Sequence, residues 1–118
     1  MRISPLLLLL IALPVAAADA ERGRSLYQSR CTACHSIEYN GVGPAHRGMF
    51  GRRAGLAPGY AYSPALKGAT VIWSKATLER WLTDPEAVLP GQRMGVNVPQ
   101  AVDRADLIEY LERSSIAK

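Results

Sequence analysis

The chain has 118 residues, a formal net charge of +4 and only two cysteines. That length gives one small domain with a limited hydrophobic core. Lysines and arginines are scattered along the chain and aromatic residues make up 7% of it, whereas a nucleic-acid surface needs a dense basic stripe. We therefore expect no nucleic-acid partner. The mild positive charge suits steering toward an acidic protein.

The first 18 residues have the pattern of a secretory signal peptide. Arg2 gives a positive start, Leu6 to Leu13 is an unbroken apolar run, and Pro14 breaks it. Small residues up to Ala18 predict cleavage after that residue, with a second site after Ala20. A membrane-spanning helix needs about 20 apolar residues, so this short run favours a cleaved leader over an anchor. We expect residues 1–18 to be the signal peptide and residues 19–118, a stretch of 100, to form the mature domain.

Residues 21 to 34 have the periodicity of an amphipathic helix. Gly23, Leu26, Tyr27 and Cys31 recur at helical spacing and so share one face. A glycine inside a helix costs about 1 kcal/mol relative to alanine. A close helix crossing would explain Gly23, and simple tolerance near a fraying end is the alternative.

The motif Cys31-Thr32-Ala33-Cys34-His35 is typical of covalent attachment of a c-type haem. Each thiol adds to one vinyl group of the porphyrin, and the two intervening residues let one turn of chain reach both. The histidine that follows then lies under the iron, where it can supply the proximal ring nitrogen. We expect Cys31 and Cys34 to bind the porphyrin and His35 to bind the iron.

Other uses of the two cysteines remain open from the motif alone. A disulfide at this spacing would close a tight, strained loop. A thioredoxin-like dithiol would follow a strand in a βαβ unit, and no such strand is predicted. A zinc site would need further ligands, and His46 is the only other histidine.

The segment from Gly41 to Gly59 is rich in glycine and proline and predicts a long loop. Loops of that length are unusual in a compact domain unless they surround something, and here we expect them to surround the porphyrin.

Two further helices are predicted after this loop. The first follows Ser74, a good N-cap residue, and ends before Pro85. Its apolar face carries Leu78, Trp81 and Leu82. The second runs from about Val102 to Ser114, with Leu107, Tyr110 and Leu111 inside and with Asp103, Arg104, Glu109 and Glu112 mostly outside. No strand shows convincing alternation, so the predicted fold is helical and rich in loops.

A haem iron also needs a sixth ligand or an open position, and the candidates are Met49, Met94 and His46. Met94 lies in a turn about 60 residues after His35, and a distant loop can approach the opposite face of the ring. Met49 and His46 follow His35 so closely that reaching the far face would require a tight wrap. A methionine in a loop more often fills a gap in packing than binds a metal. Position alone therefore does not decide whether Met94 is the sixth ligand.

Ordered motifs along nearly the whole mature chain match one known pattern. They are Gly23 and Tyr27, the Cys31–His35 motif, Gly43-Pro44, Gly48-Met49-Phe50-Gly51-Arg52, Ala57-Pro58-Gly59-Tyr60-Ala61-Tyr62, Trp73, Pro90-Gly91-Gln92-Arg93-Met94 and the stretch from Arg104 to Leu111. Together they resemble the class I c-type cytochromes, the mitochondrial-type cytochrome c and its bacterial relatives. The resemblance implies an all-α, single-domain cytochrome c fold wrapped around one covalently bound haem c.

The resemblance also implies roles for individual residues. Met94 would be the sixth ligand of the iron, and the Pro44 carbonyl would hold the ring of His35. Arg52, Tyr62 and Trp73 would hydrogen-bond a haem propionate, which suits the need of a buried carboxylate for partners. Without the resemblance, ordinary packing or a solvated charge would explain those three residues.

Five positions depart from the family pattern. Trp81 replaces a tyrosine that is usual near the methionine sulfur, Gln92 replaces a threonine and Leu66 replaces an asparagine. The polar network of the haem pocket is therefore expected to be thinner. Glu86 and Ala87 stand where the mitochondrial protein has lysines, so the basic docking ring is incomplete.

The function implied by the resemblance is that of a soluble electron carrier in the bacterial periplasm, not of an enzyme. Its partners would be a reductase or dehydrogenase and an oxidase or reaction centre, met transiently, with no stable membrane insertion and the chain a monomer. The alternative is a dedicated haem c subunit of a larger periplasmic dehydrogenase. A peroxidase or gas sensor ranks lower, because no distal acid or base is evident near Met94.

Overall fold

The computed structural model describes residues 1, 7–14 and 16–116. The predicted leader therefore lies partly outside the described residues, at positions 2–6 and 15. Its described part forms no helix, and the leucines from Leu7 to Leu13 are 78–91% exposed, so they add nothing to the hydrophobic core. Among the described residues, no helix has the length and apolar character needed to cross a bilayer.

Five helices form the regular structure of residues 16–116. They are α1 (Ala20–Arg30), α2 (Pro64–Lys67), α3 (Lys75–Thr83), α4 (Pro85–Val88) and α5 (Ala101–Ser114). Helix α1 packs along α5, and α3 packs against both α5 and α4. The same residues contain no sheet, only an isolated antiparallel bridge between Arg53 and Ile72. The predicted all-α fold class is confirmed.

Helix α1 ends four residues earlier than the predicted 21 to 34. It starts from Asp19, whose carboxylate accepts a hydrogen bond from the N–H of Arg22 at 3.0 Å. At the other end the N–H of Thr32 donates to the Tyr27 carbonyl five residues back, at 3.2 Å. That bond closes the helix, and the cysteine motif forms a separate turn.

Gly23 lies where α1 crosses α5. A Cβ atom at this position would be 1.9 Å from the Asp106 carbonyl oxygen and 2.9 Å from the Cβ of Tyr110. Such distances are far inside van der Waals contact, so only glycine permits this crossing. The predicted close helix crossing is thus the reason for the glycine.

Two acidic residues of α5 are buried against α1. Asp103 was expected to lie mostly outside, and that expectation is wrong: it is 4% exposed. Arg22 and Arg30 both pair with it, at 2.5 and 3.0 Å, because α1 brings its arginines across the helix interface. Asp106, 3% exposed, accepts hydrogen bonds from Arg22 and from the backbone N–H of Asp19, both at 2.8 Å. These four side chains tie the two ends of the domain together.

Helix α3 follows its prediction closely. The hydroxyl of Ser74 accepts from the N–H of Thr77 at 3.2 Å and the Thr77 hydroxyl accepts from the N–H of Ser74 at 2.7 Å, which completes a reciprocal cap. The helix ends at Thr83 because the next residue, Asp84, is extended before Pro85. Pro85 itself then begins α4, which the sequence did not predict.

The core is formed by side chains from α1, α3, α5 and the loops. Its buried members are Tyr27, Met49, Leu78, Trp81, Leu82, Val98, Leu107, Ile108 and Leu111. Partly buried residues pack against it, among them Cys31, Phe50, Trp73 and Met94. The predicted loop from Gly41 to Gly59 lies within residues 35–63, which contain no helix, and its Met49 belongs to this core. That the loop surrounds the porphyrin stays a prediction.

Candidate haem site

The two cysteines lie on one tight turn beside His35. The N–H groups of Cys34 and His35 both donate to the Cys31 carbonyl, at 3.1 and 2.8 Å. Both thiols are free, so the pair forms no disulfide, and Cys34 is exposed. Burial raises the pKa of the Cys31 thiol to about 11, which keeps it protonated at neutral pH. The turn therefore presents two separate thiols and one imidazole on the same short segment.

One ring nitrogen of His35 is held by a hydrogen bond, and the other is free to bind a metal. Its Nδ1 donates to the Pro44 carbonyl at 2.8 Å, and since a carbonyl only accepts, the proton must reside on Nδ1. Nε2 then carries a lone pair. Burial lowers the pKa of this histidine, which favours the neutral ring that a metal requires. A Cβ at Gly43 would be 2.3 Å from Cε1 of the ring, so the glycine makes room for the imidazole.

His46, one of the three candidates for the sixth ligand, lies against His35. The two rings stack with centroids 4.3 Å apart and planes 24° from parallel. Rings stacked face to face cannot approach one iron from opposite sides. The Nδ1 of His46 is also hydrogen-bonded to the Tyr27 hydroxyl at 2.9 Å.

The other two candidates differ in their surroundings. Met49 is 4% exposed and belongs to the hydrophobic core. Met94 is partly buried at the edge of that core, in a loop where Gly91 and Gly95 have φ of +88° and +62°. Left-handed backbone on both sides gives the Met94 loop two sharp turns that side chains rarely allow.

Two departures from the family pattern meet in this loop. The Glu86 carboxylate accepts from the N–H of Gly91 at 2.8 Å and from the side-chain amide of Gln92 at 3.0 Å. The Gln92 amide oxygen in turn accepts from the N–H of Gly95 at 2.8 Å. Glu86 and Gln92 thus act together as a brace around Met94. Sequence reasoning treated them as separate substitutions and missed the pairing, since six residues and a Pro-Gly turn separate them.

The three predicted propionate partners lie near one another. The backbone N–H of Trp73 donates to the backbone carbonyl of Arg52 at 3.0 Å, and the Arg52 guanidinium donates to the Arg47 carbonyl at 3.1 Å. The Tyr62 oxygen accepts from the N–H of Ala57 at 2.9 Å, which leaves its own hydroxyl proton free to donate. Burial raises the pKa of Tyr62, and the nearby Arg52 charge acts in the opposite direction.

The family model for cytochrome c matches residues 20–115 of this chain. The chain belongs to the class I c-type cytochrome family. A cytochrome c from Euglena viridis is 41% identical over 97 residues, covering 80% of this chain and 95% of that protein. One from Chlamydomonas reinhardtii is 40% identical over 105 residues, covering 84% and 92%. The solved structure of cytochrome cH from Methylobacterium extorquens superposes with a TM-score of 0.77 at 40% identity, covering 81% of this chain and 99% of that one.

Cytochromes c are electron carriers that bind one covalent haem c, and the residues of this cytochrome suit that group. Two free thiols and a neutral imidazole with an available Nε2 lie on one turn. The thioether of Met94 lies on a separate loop, and the Arg52 guanidinium lies near the Tyr62 hydroxyl, whose proton is free to donate. These groups are of the kinds that bind a haem iron and a haem propionate. The predictions of family, fold and cofactor are confirmed.

Proposed function

We propose that this cytochrome c is a periplasmic electron carrier whose iron is bound by His35 and Met94. The observation that carries the proposal is the hydrogen bond from Nδ1 of His35 to the Pro44 carbonyl, because it fixes both the tautomer and the direction of Nε2. When bound, the haem supplies a one-electron couple. The chain contributes fixed ligands, so that little rearranges when an electron arrives or leaves.

Elimination supports Met94 as the second ligand. His46 is stacked on His35 and Met49 is packed in the core, so each has a role that does not involve the far side of the ring. Met94 is held by the Glu86–Gln92 brace on a loop about 60 residues from His35. A thioether favours reduced iron relative to a second imidazole, which gives a more positive potential.

Arg52, Tyr62 and Trp73 are proposed to receive a propionate. Arg52 offers a charge, and Tyr62 offers a proton that the Ala57 hydrogen bond leaves uncommitted. The Trp73 ring packs edge to face against the Trp81 ring, with centroids 5.5 Å apart. A carboxylate leaving water needs such donors, and charge-assisted hydrogen bonds are the strongest available.

Met94 is tested by absorption spectroscopy of the oxidised protein. We expect the native protein to show a weak sulfur-to-iron band in the far red and Met94→Ala to lack it. Met49→Leu is the matched control, since it removes a different, buried sulfur and should leave the band unchanged. A band that survives in Met94→Ala and disappears in Met49→Leu would overturn the assignment.

Partners are proposed to be redox proteins that dock transiently. The loop after the haem motif exposes Tyr39 and Val42, by 74% and 75%, and the N–H of Gly43 joins this loop to the Cys34 carbonyl at 2.8 Å. Two apolar side chains next to the attachment site make a small contact, which suits weak association. Co-purification with a catalytic subunit at stoichiometric ratio would instead favour the dedicated-subunit alternative.

We further infer that residues 1–18 are a leader removed by cleavage after Ala18. The backbone N–H of Asp19 donates to Asp106, and the Asp19 side chain caps α1. Cleavage before Asp19 turns that nitrogen into an ammonium group beside the buried carboxylate of Asp106. A positive charge at a helix N-terminus is unfavourable, and this carboxylate offsets it. Cleavage after Ala20 would remove the cap, a loss of about 0.5–2 kcal/mol.

Intact mass of the exported protein tests the cleavage site, and we expect a chain that begins at Asp19. Thermal unfolding tests whether the ammonium group of Asp19 stabilises the fold. A chain starting at Asp19 should have a higher melting temperature than one starting at Ala18, which keeps the Asp19 cap but has its ammonium group one residue earlier. A chain beginning at Glu21, or equal melting temperatures, would contradict the cleavage argument. An exported chain that retains residues 1–18 would refute the leader itself.

A further inference from the structure

A second histidine, His46, lies against the candidate iron ligand His35. The proposed iron ligation by His35 and Met94 does not explain why it is there. The His46 ring stacks on that of His35 at 4.3 Å. The backbone N–H of His46 donates to the carbonyl of Ser36, the next residue after His35, at 3.0 Å. Backbone and ring are thus both anchored beside the ligand.

Tyr27 fixes the plane of the His46 ring. Its hydroxyl is hydrogen-bonded to Nδ1 of His46 at 2.9 Å, and the two rings meet edge to face with centroids 5.7 Å apart. Tyr27 is 3% exposed and packs against Tyr110 of α5 at 5.3 Å. A continuous line of ring contacts therefore runs from α5 through Tyr27 and His46 to His35.

The imidazole of His46 meets the His35 ring face to face, with planes 24° from parallel, so it limits how far the His35 ring can turn. It also places a dipole next to the iron ligand, where an aliphatic side chain would place none.

We propose that His46, held by Tyr27, is a positioning residue that sets the orientation of the His35 ring and the polarity of the proximal side of the haem. The inference rests on the proposed role of His35 as the proximal ligand. Groups that contact a metal-bound histidine orient its ring and tune the metal. A less polar surrounding favours reduced iron, so loss of the imidazole dipole raises the reduction potential.

The test compares three variants of the haem-loaded protein: His46→Leu, Tyr27→Phe and the control Val102→Ala, whose side chain on α5 is 62% exposed. Proton NMR of the oxidised protein reports ring orientation through the haem methyl shifts, and potentiometric titration reports the potential. We expect His46→Leu to change the spread of the methyl shifts and to make the potential more positive. Tyr27→Phe should act in the same direction with a smaller shift, and Val102→Ala should match the wild type.

Wild-type methyl shifts and potential in both His46→Leu and Tyr27→Phe would overturn the proposal. If His46→Leu fails to load haem, Tyr27→Phe decides the question alone, because it removes one oxygen and keeps both rings. The far-red band separates this inference from the proposed function. We expect all variants to keep it, and its absence from the wild type would refute Met94 ligation while leaving the methyl-shift comparison valid.

Discussion

Replacing Gly23 with alanine should drive the two terminal helices apart. The new Cβ would lie 1.9 Å from the Asp106 carbonyl oxygen and 2.6 Å from its carbonyl carbon, whereas real Cβ contacts essentially never fall below 3.0 Å. Both obstacles are backbone atoms of α5, so no side-chain rotation relieves the clash. The helices must separate by about 1 Å, the shortfall from that limit.

Two opposing effects decide the magnitude. Alanine is favoured over glycine inside a helix by about 1 kcal/mol. Overpacking typically costs about 1–3 kcal/mol and sometimes more, and a clash between backbones belongs at the upper end. The net loss in the free energy of unfolding is therefore about 2 kcal/mol. For a domain of this size that corresponds to a fall in melting temperature of about 8–16 °C.

Thermal unfolding of the haem-loaded protein, followed by far-ultraviolet circular dichroism, measures this loss. Gly68→Ala is the matched control, because that glycine has φ of −87° and its added Cβ would meet nothing nearer than 3.5 Å. We expect the control to change the unfolding free energy by no more than about 0.5 kcal/mol. A Gly23→Ala protein as stable as Gly68→Ala would refute the reasoning about the crossing.

Three further predictions concern the loop brace, the buried acid and the core. Glu86→Ala should lower the temperature at which the far-red band is lost, because the Met94 loop loses two hydrogen bonds. Glu112→Ala is the control. If both variants lose the band at the same temperature, the Glu86–Gln92 brace is contradicted. Hydrogen bonding to Arg22 lowers the pKa of Asp103, so its contribution to stability is present above about pH 4 and is lost as the pH falls through the folded value. The stability gap between wild type and Asp103→Asn should therefore narrow on acidification, and a constant gap would contradict this. Leu107→Ala, at a position 1% exposed, should cost about 2–5 kcal/mol in denaturant unfolding, and a loss below 1 kcal/mol would exclude a central place in the core.

Features set by short-range chemistry could be predicted from the sequence. The Cys31–His35 motif predicted haem attachment by its residue types and spacing. Ser74 and Pro85 predicted the two ends of α3. Gly23 could be recognised as a candidate helix-contact residue only because glycine is costly inside a helix. The choice among three sixth-ligand candidates, by contrast, depended on family resemblance.

Features that depend on distant parts of the chain could not be predicted. Asp103 looked like a solvent-facing residue of an amphipathic helix, and its burial required knowing that two arginines of α1 would cross over it. The Tyr27–His46 hydrogen bond joins a helix to a loop 19 residues away. No periodic pattern connects such pairs, because the tertiary fold alone brings them together.

The most direct test of the account is the mass of the mature, fully denatured protein. Covalent attachment at Cys31 and Cys34 predicts the mass of the chain from Asp19 plus one haem, with the colour retained after acid-acetone extraction. The double variant Cys31→Ser, Cys34→Ser should give the bare polypeptide. A wild-type chain that releases its haem on denaturation, or that never carried one, would contradict the central claim.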